Sequence, residues 1–201
     1  MLVHAFDIEV SHRRIGPKRL MSIGSCCIEV SRGRREIIDR FFVTIDWGAP
    51  LEFDRETKRF WEKYPQALAV STTNGVPPSR AAALIVQHLE QIHSVAQRRN
   101  LKLVTVTDNA YFDVGWLDWF ISTYSTAGLP LQYVANGSGW RHPGCCIDLG
   151  ERMRGLRDVG IELPLSTFVA SVPHDHHPLH DAINTAERYI WYLDQCRWCR
   201  R

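Results

Sequence analysis

The first strand-like run of the chain, Leu2-Val3-His4-Ala5-Phe6-Asp7-Ile8-Glu9-Val10, constrains its fold more than any other segment. It is apolar and partly β-branched, which predicts a strand, yet it carries two carboxylates. Residues i and i+2 of a strand share a face, so Asp7 and Glu9 project together while Phe6 and Ile8 point the other way, into a core. Paired acids repel each other and are costly to desolvate unless a cation lies between them. Two hard oxygen donors at one spot suit Mg²⁺ or Mn²⁺ rather than zinc. Taken alone, the pair also fits an exposed polar strand face.

The order of the later segments sets the fold class. Leu20 to Val30 is a second extended run and Glu36 to Ile45 a third, joined through Ser31-Arg32-Gly33-Arg34 as a hairpin turn. A basic loop broken by Gly16-Pro17, Ser11 to Arg19, separates the first two. Ser79 to Arg99 has apolar residues at three-to-four spacing (Ala82, Ile85, Val86, Leu89, Ile92, Val95), which predicts a helix with Ser79 as its N-cap. Leu101 to Thr107 reads as a strand and Asp113 to Tyr124 as a helix. Pro178 to Gln195 reads as a last helix, with Leu179, Ala182, Ile183, Ala186, Ile190 and Leu193 on one face. Strands first, then strands alternating with helices, predict an α/β domain around a mixed sheet: an antiparallel N-terminal meander plus parallel strands, flanked by helices. No repeat or linker divides residues 1–201, so the expectation is one domain ending in a short basic tail, 196–201.

Composition bounds the function. The 201 residues are 45% hydrophobic and 23% charged, enough for a core and against disorder. With a net charge of +2, any contact with a polyanion must be local. No run approaches the ~18 apolar residues of a membrane span. The first seven residues already include Asp7 and do not resemble a signal peptide, so the expected location is intracellular and cytoplasmic. Six cysteines occur as Cys26-Cys27, Cys145-Cys146 and Cys196-x-x-Cys199. Adjacent cysteines diverge along a strand, so most are expected to be buried thiols, and Cys196/Cys199 lacks the other half of a four-ligand zinc site.

Two further clusters carry titratable groups. Asp108-Asn109-Ala110-Tyr111-Phe112-Asp113 directly follows a strand, where α/β ligand sites form. Asp113 there can serve a site or simply the helix dipole, and Asp108 reads as a turn or cap residue. His174-Asp175-His176-His177-Pro178-Leu179-His180-Asp181 opens the last helix, with Asp181 in its first turn and His176 in the preceding loop. A histidine near neutral pKa beside carboxylates is suited to deprotonate a water. Four histidines in seven residues also permit a zinc reading.

In this order and at these separations, Asp-x-Glu on a first strand, Asn-x-x-Phe-Asp in mid-chain and His-x-x-x-x-Asp opening a late helix resemble the DEDDh family. Its members are 3′–5′ exonucleases of ribonuclease H-like fold, including ribonuclease T, oligoribonuclease and proofreading subunits. The resemblance covers roughly residues 3–195, with Leu20-Met21-Ser22-Ile23-Gly24 similar to the family's second strand. The segment Asp54 to Glu62, with Thr57 and Trp61, resembles the phage exonuclease A-like branch. The resemblance implies that Asp7, Glu9, Asp113 and Asp181 bind two divalent metal ions, Mg²⁺ or Mn²⁺. It makes His176 the general base, with His174 and His177 as lesser candidates. The implied reaction hydrolyses single-stranded DNA or RNA, or a 3′ overhang, to nucleoside 5′-monophosphates, and several relatives are homodimers. Departures include Val10, where many members have Thr, and the long basic loop after the first strand. The ribonuclease H-type endonucleases share the acids but not the His-x-x-x-x-Asp motif. A non-catalytic nucleic-acid-binding or partner-binding module of the same fold is the alternative from another class.

A polyanionic substrate needs local cations. Residues 11–40 hold eight Lys or Arg against three acids. Arg13, Arg14 and Lys18 immediately follow the acid-bearing strand and are the expected phosphate contacts. Single-strand binders also stack bases on aromatic rings. Of Trp61, Phe60 and Tyr111, at least two are expected to pack in the core instead.

Overall fold

A computed structural model describes residues 1–31, 33–125 and 146–198, and only the backbone of 197 and 198. Strands β1 (Leu2–Val10), β2 (Leu20–Ser31) and β3 (Arg34–Thr44) form the antiparallel meander. Helices α1 (Arg55–Trp61), α2 (Pro65–Thr72) and α3 (Pro78–Arg98) come next, leading to β4 (Leu103–Thr107), which pairs in parallel with β1. After α4 (Ala110–Tyr124) come β5 (Cys146–Asp148), parallel to β4, then α5 (Leu149–Asp158) and α6 (Pro178–Trp198). The sheet order is β3-β2-β1-β4-β5, so the architecture is α/β with a mixed five-stranded sheet flanked by helices. The crossover through α3 is what lets β4 lie parallel to β1, since no tight turn can join parallel neighbours.

β1 is the central strand and is covered on both faces. Phe6 and Ile8 pack with Ile85 and Leu89 of α3 and with Trp116 and Phe120 of α4. Val3 and Ala5 pack on the opposite face against Ala182, Ile183, Ala186 and Ile190 of α6. Asp7 and Glu9 therefore continue a buried face, not an exposed one. The small side chains of Ala182 and Ala186, both fully buried, bring the α6 backbone close to the sheet. Gly24 brings it closer still. A Cβ there would stand 2.1 Å from the Leu179 amide nitrogen and 2.2 Å from the Pro178 carbonyl carbon.

The α3 face of the sheet also holds a buried polar chain. His4 Nε2 lies 2.8 Å from Ser25 Oγ, which lies 3.0 Å from His88 Nε2. His88 Nδ1 faces Asp39 at 3.5 Å, and His4 Nδ1 faces the Thr105 hydroxyl at 3.4 Å. Burial holds both rings neutral, lowering His4 to about 3 and His88 to about 4.

Several expectations shift at element ends. α3 starts at Pro78 with Pro77 at the cap, so Ser79 is not the N-cap; the proline ring supplies the first-turn geometry instead. β4 starts at Leu103 rather than Leu101, and α4 starts at Ala110 rather than Asp113. Ser31 pairs with Arg34 across the hairpin, with Gly33 at φ 78°, and Arg32 lies outside the described residues. Cys26, Cys27 and Cys146 are buried, and Cys196 is partly buried. Cys145 and Cys199 to Arg201 lie outside the described residues. Among the described residues no helix is long and apolar enough to cross a membrane.

Candidate active site

Three distant parts of the chain converge at the carboxyl end of β1. Asp7 stands opposite Gly24 in the β1–β2 register, beside the point where α6 begins. The bare Gly24 backbone admits Pro178 and Leu179, and this sets Asp181, in the first turn of α6, over the acids of β1. Carboxylate oxygens of Asp7, Glu9 and Asp181 all lie within 4.8 Å of one another. Asp113 is buried in the first turn of α4, close enough to disturb both Asp7 and Glu9.

The electrostatics result from this crowding. Burial, then repulsion from Glu9, Asp113 and Asp181, holds the Asp7 carboxyl well above the usual range. Glu9 is raised for the same reasons, by burial and then by Asp181 and Asp113. Burial pushes Asp113 up to about 8 and also raises Asp181. Among the described residues no Lys or Arg forms an ion pair with any of the four. A buried set of hard oxygen donors that no described Lys or Arg neutralises fits divalent ions such as Mg²⁺ or Mn²⁺.

The histidines separate by environment. His176 sits in a left-handed turn at φ 60°, with Nδ1 4.0 Å from Asp181 Oδ2. Its ring meets Phe60 and Tyr64 at centroid distances of 4.9 and 4.3 Å, and burial lowers its pKa. His174 is more exposed and its Nδ1 lies 2.8 Å from Asp181 Oδ1. His177 serves the helix start instead. Its Nδ1 accepts the Leu179 amide at 3.2 Å, and its ring lies against Phe42 and His180. His180 pairs with Asp175 at 3.0 Å.

Backbone contacts fix the end of β1. Trp61 Nε1 donates to the Val10 carbonyl at 2.9 Å, and the Thr57 hydroxyl donates to the Ser11 carbonyl. Asp54 caps α1, accepting from the Glu56 and Thr57 amides at 2.8 and 2.9 Å. Burial opposes ionisation of Asp54, but these bonds, with the Arg13 amide and guanidinium, hold its carboxyl below the usual range. The Thr57 and Trp61 segment is thus a clamp on the strand that carries Glu9.

Other expectations are redistributed. Only Trp61 of the three aromatics is core; Phe60 is half-buried against His176, and Tyr111 is 91% exposed. Asp108 is not the cap of α4, a role taken by Asn109, and it faces Arg188 at 3.5 Å. Asp148 is a residue that the sequence does not single out. One of its oxygens accepts the Ala110 amide at 2.9 Å and the other the Glu151 amide at 2.8 Å, tying the starts of α4 and α5 together. Its only signal is an acid just after an apolar dipeptide and before Leu149-Gly150, in too short a strand to stand out. In the Ser11 to Arg19 loop, Arg13 is engaged by Asp54 and Glu56. Arg14 and Lys18 make no ion pair among the described residues, and Lys18 has φ 61°.

Compared with protein-family models and with curated proteins, the chain has no match in either.

Proposed function

We propose that the protein is a metal-dependent 3′–5′ exonuclease of ribonuclease H-like fold, acting on single-stranded DNA or RNA or on a 3′ overhang. The observation that carries this reading is the gathering of Asp7, Glu9 and Asp181 oxygens within 4.8 Å, with no Lys or Arg paired to them among the described residues, beside His176. The mixed sheet with an antiparallel meander and β1 at its centre is compatible with that fold.

Asp7, Glu9 and Asp181, with Asp113 alongside, would hold two Mg²⁺ or Mn²⁺ ions. Bound there, the ions supply charge neutralisation at the scissile phosphate and acidify an attacking water. His176 turns Nδ1 toward Asp181, so Nδ1 is the atom placed to accept the proton of a water lying over that carboxylate. Its lowered pKa keeps the lone pair free near neutral pH. Phe60 and Tyr64 hold the ring in place. Attack at phosphorus breaks the bond to the 3′ oxygen and releases a nucleoside 5′-monophosphate. Arg14 and Lys18, on the loop that leaves β1, are placed to meet backbone phosphates.

The test is a gel assay with 5′-labelled single-stranded DNA and matching RNA, with Mg²⁺, Mn²⁺ or EDTA, beside an Asp7→Asn control. A ladder shortening from the 3′ end that requires metal and Asp7 is expected. Binding of the strands without cleavage in any metal would replace this reading with a non-catalytic binding module.

A further inference from the structure

Asp181 stands between two donor sets of different chemistry. On one side lie the oxygens of Asp7 and Glu9. On the other lie two imidazoles, with His174 Nδ1 2.8 Å from Oδ1 and His176 Nδ1 4.0 Å from Oδ2. One ligand atom from each of His174, His176 and Asp181 lies within 4.8 Å of the others, and the two rings are 5.0 Å apart. The left-handed turn at His176 allows two residues of a His-x-His sequence to reach the same carboxylate. Donors around a tetrahedral zinc, with bonds of about 2.0–2.1 Å, are separated by little more than 3 Å, so only a small contraction is needed. Imidazole nitrogens favour zinc strongly over magnesium, whereas an all-oxygen set also suits magnesium and manganese.

We propose that His174, His176 and Asp181 form a second cation site, selective for Zn²⁺, whose occupation inhibits the enzyme. A zinc ion there leaves one coordination position for water. It also occupies the His176 nitrogen that must accept a proton and the Asp181 carboxylate that the oxygen site shares. The two sites therefore compete for Asp181. The inhibitory consequence rests on the exonuclease reading; the binding site itself does not.

The experiment titrates Zn²⁺ into parent, His174→Ala and Asp7→Asn proteins against a chromogenic chelator, with Co²⁺ absorption as a second readout. The parent is expected to bind Zn²⁺ and to give the visible bands of nitrogen-ligated, four-coordinate Co²⁺. His174→Ala is expected to weaken Zn²⁺ by about 10–100-fold or more and to lose those bands, while Asp7→Asn retains both. His174 is 65% exposed in its side chain, so its truncation leaves the core intact. No zinc binding by the parent, undiminished binding by His174→Ala, or equal loss in Asp7→Asn would each overturn the site. Where the parent degrades a 3′ end in Mg²⁺, added Zn²⁺ should slow it, and His174→Ala should need at least about tenfold more. Activation by Zn²⁺, or equal potency on both proteins, would overturn inhibition. A parent inactive in Mg²⁺ refutes the exonuclease reading, and the titration still decides the zinc site.

Discussion

Asp7 shows at the scale of one residue how a site can be costly to its own protein. Its carboxyl is raised by burial and by four neighbouring acids, Glu9, Asp113, Asp181 and Asp108. A carboxyl raised on folding stabilises below its unfolded pKa and loses that contribution as pH climbs through the folded value. Asp7→Asn removes the repulsion while keeping the shape. It is expected to raise the melting midpoint in EDTA at pH 8 by about 2–4 °C, for a gain of about 1 kcal/mol. The gain should vanish near pH 4, and the stabilisation by Mg²⁺ should be lost. A variant that melts below the parent at both pH values would show that the carboxylate is not strained. His176 is a separate case. His176→Ala should lower turnover by about 10²–10⁴-fold while Mg²⁺ still raises the melting midpoint. An unchanged rate would pass the base role to His174, the only other histidine among the described residues within 4.0 Å of Asp181.

At the scale of elements, the seating of α6 on β2 decides whether the site exists. Gly24 lies under Pro178 and Leu179, and a methyl group would collide with backbone that cannot swing aside. Gly24→Ala is expected to cost about 1–3 kcal/mol, as overpacking does, and to shift the start of α6 outward. Asp181 then moves away from Asp7 and Glu9, so the rise in melting midpoint on adding Mg²⁺ should shrink even where the variant folds. An undiminished rise would mean that α6 is not seated through this contact. This dependence separates what local sequence reveals from what it hides. The two-residue period of β1 places Asp7 and Glu9 on one face, and the helical period of α6 places Asp181 in its first turn. That the acid face is a buried face could not be read locally, because it depends on α6 returning over β1 from beyond residue 178. Likewise Trp61 reads as a generic aromatic until its indole is found on the Val10 carbonyl. Asp148 bridges two helices whose starts are 39 residues apart in Ala110 and Leu149, which no local window contains.

At the scale of the whole molecule, β1 carries the acids on its α6 face and His4 on its α3 face, so the two faces answer pH differently. Ser25 has one hydroxyl proton and meets two imidazole nitrogens, so it donates to one ring and accepts from the other. A consistent pattern has His88 Nδ1 donating to Asp39 and Ser25 donating to His88. His4 Nε2 then donates to Ser25, and Thr105 donates to His4 Nδ1. Every member is satisfied only while both rings are neutral. In the unfolded chain the rings take up protons near pH 6.5, whereas in the fold they do so near 3 for His4 and 4 for His88. A depressed folded pKa means that this stability is complete above 6.5 and drains away as pH falls toward the folded values. Each histidine contributes a slope of up to about 1.4 kcal/mol per pH unit in that window. Urea unfolding in EDTA from pH 7 to 4 should therefore show a loss of stability that His88→Gln reduces. Comparing the two proteins cancels the opposite trend of the acid cluster, which is common to both. Identical slopes would mean that His88 already carries its proton in the folded protein, held by Asp39, and that the chain across the sheet is ionic rather than neutral.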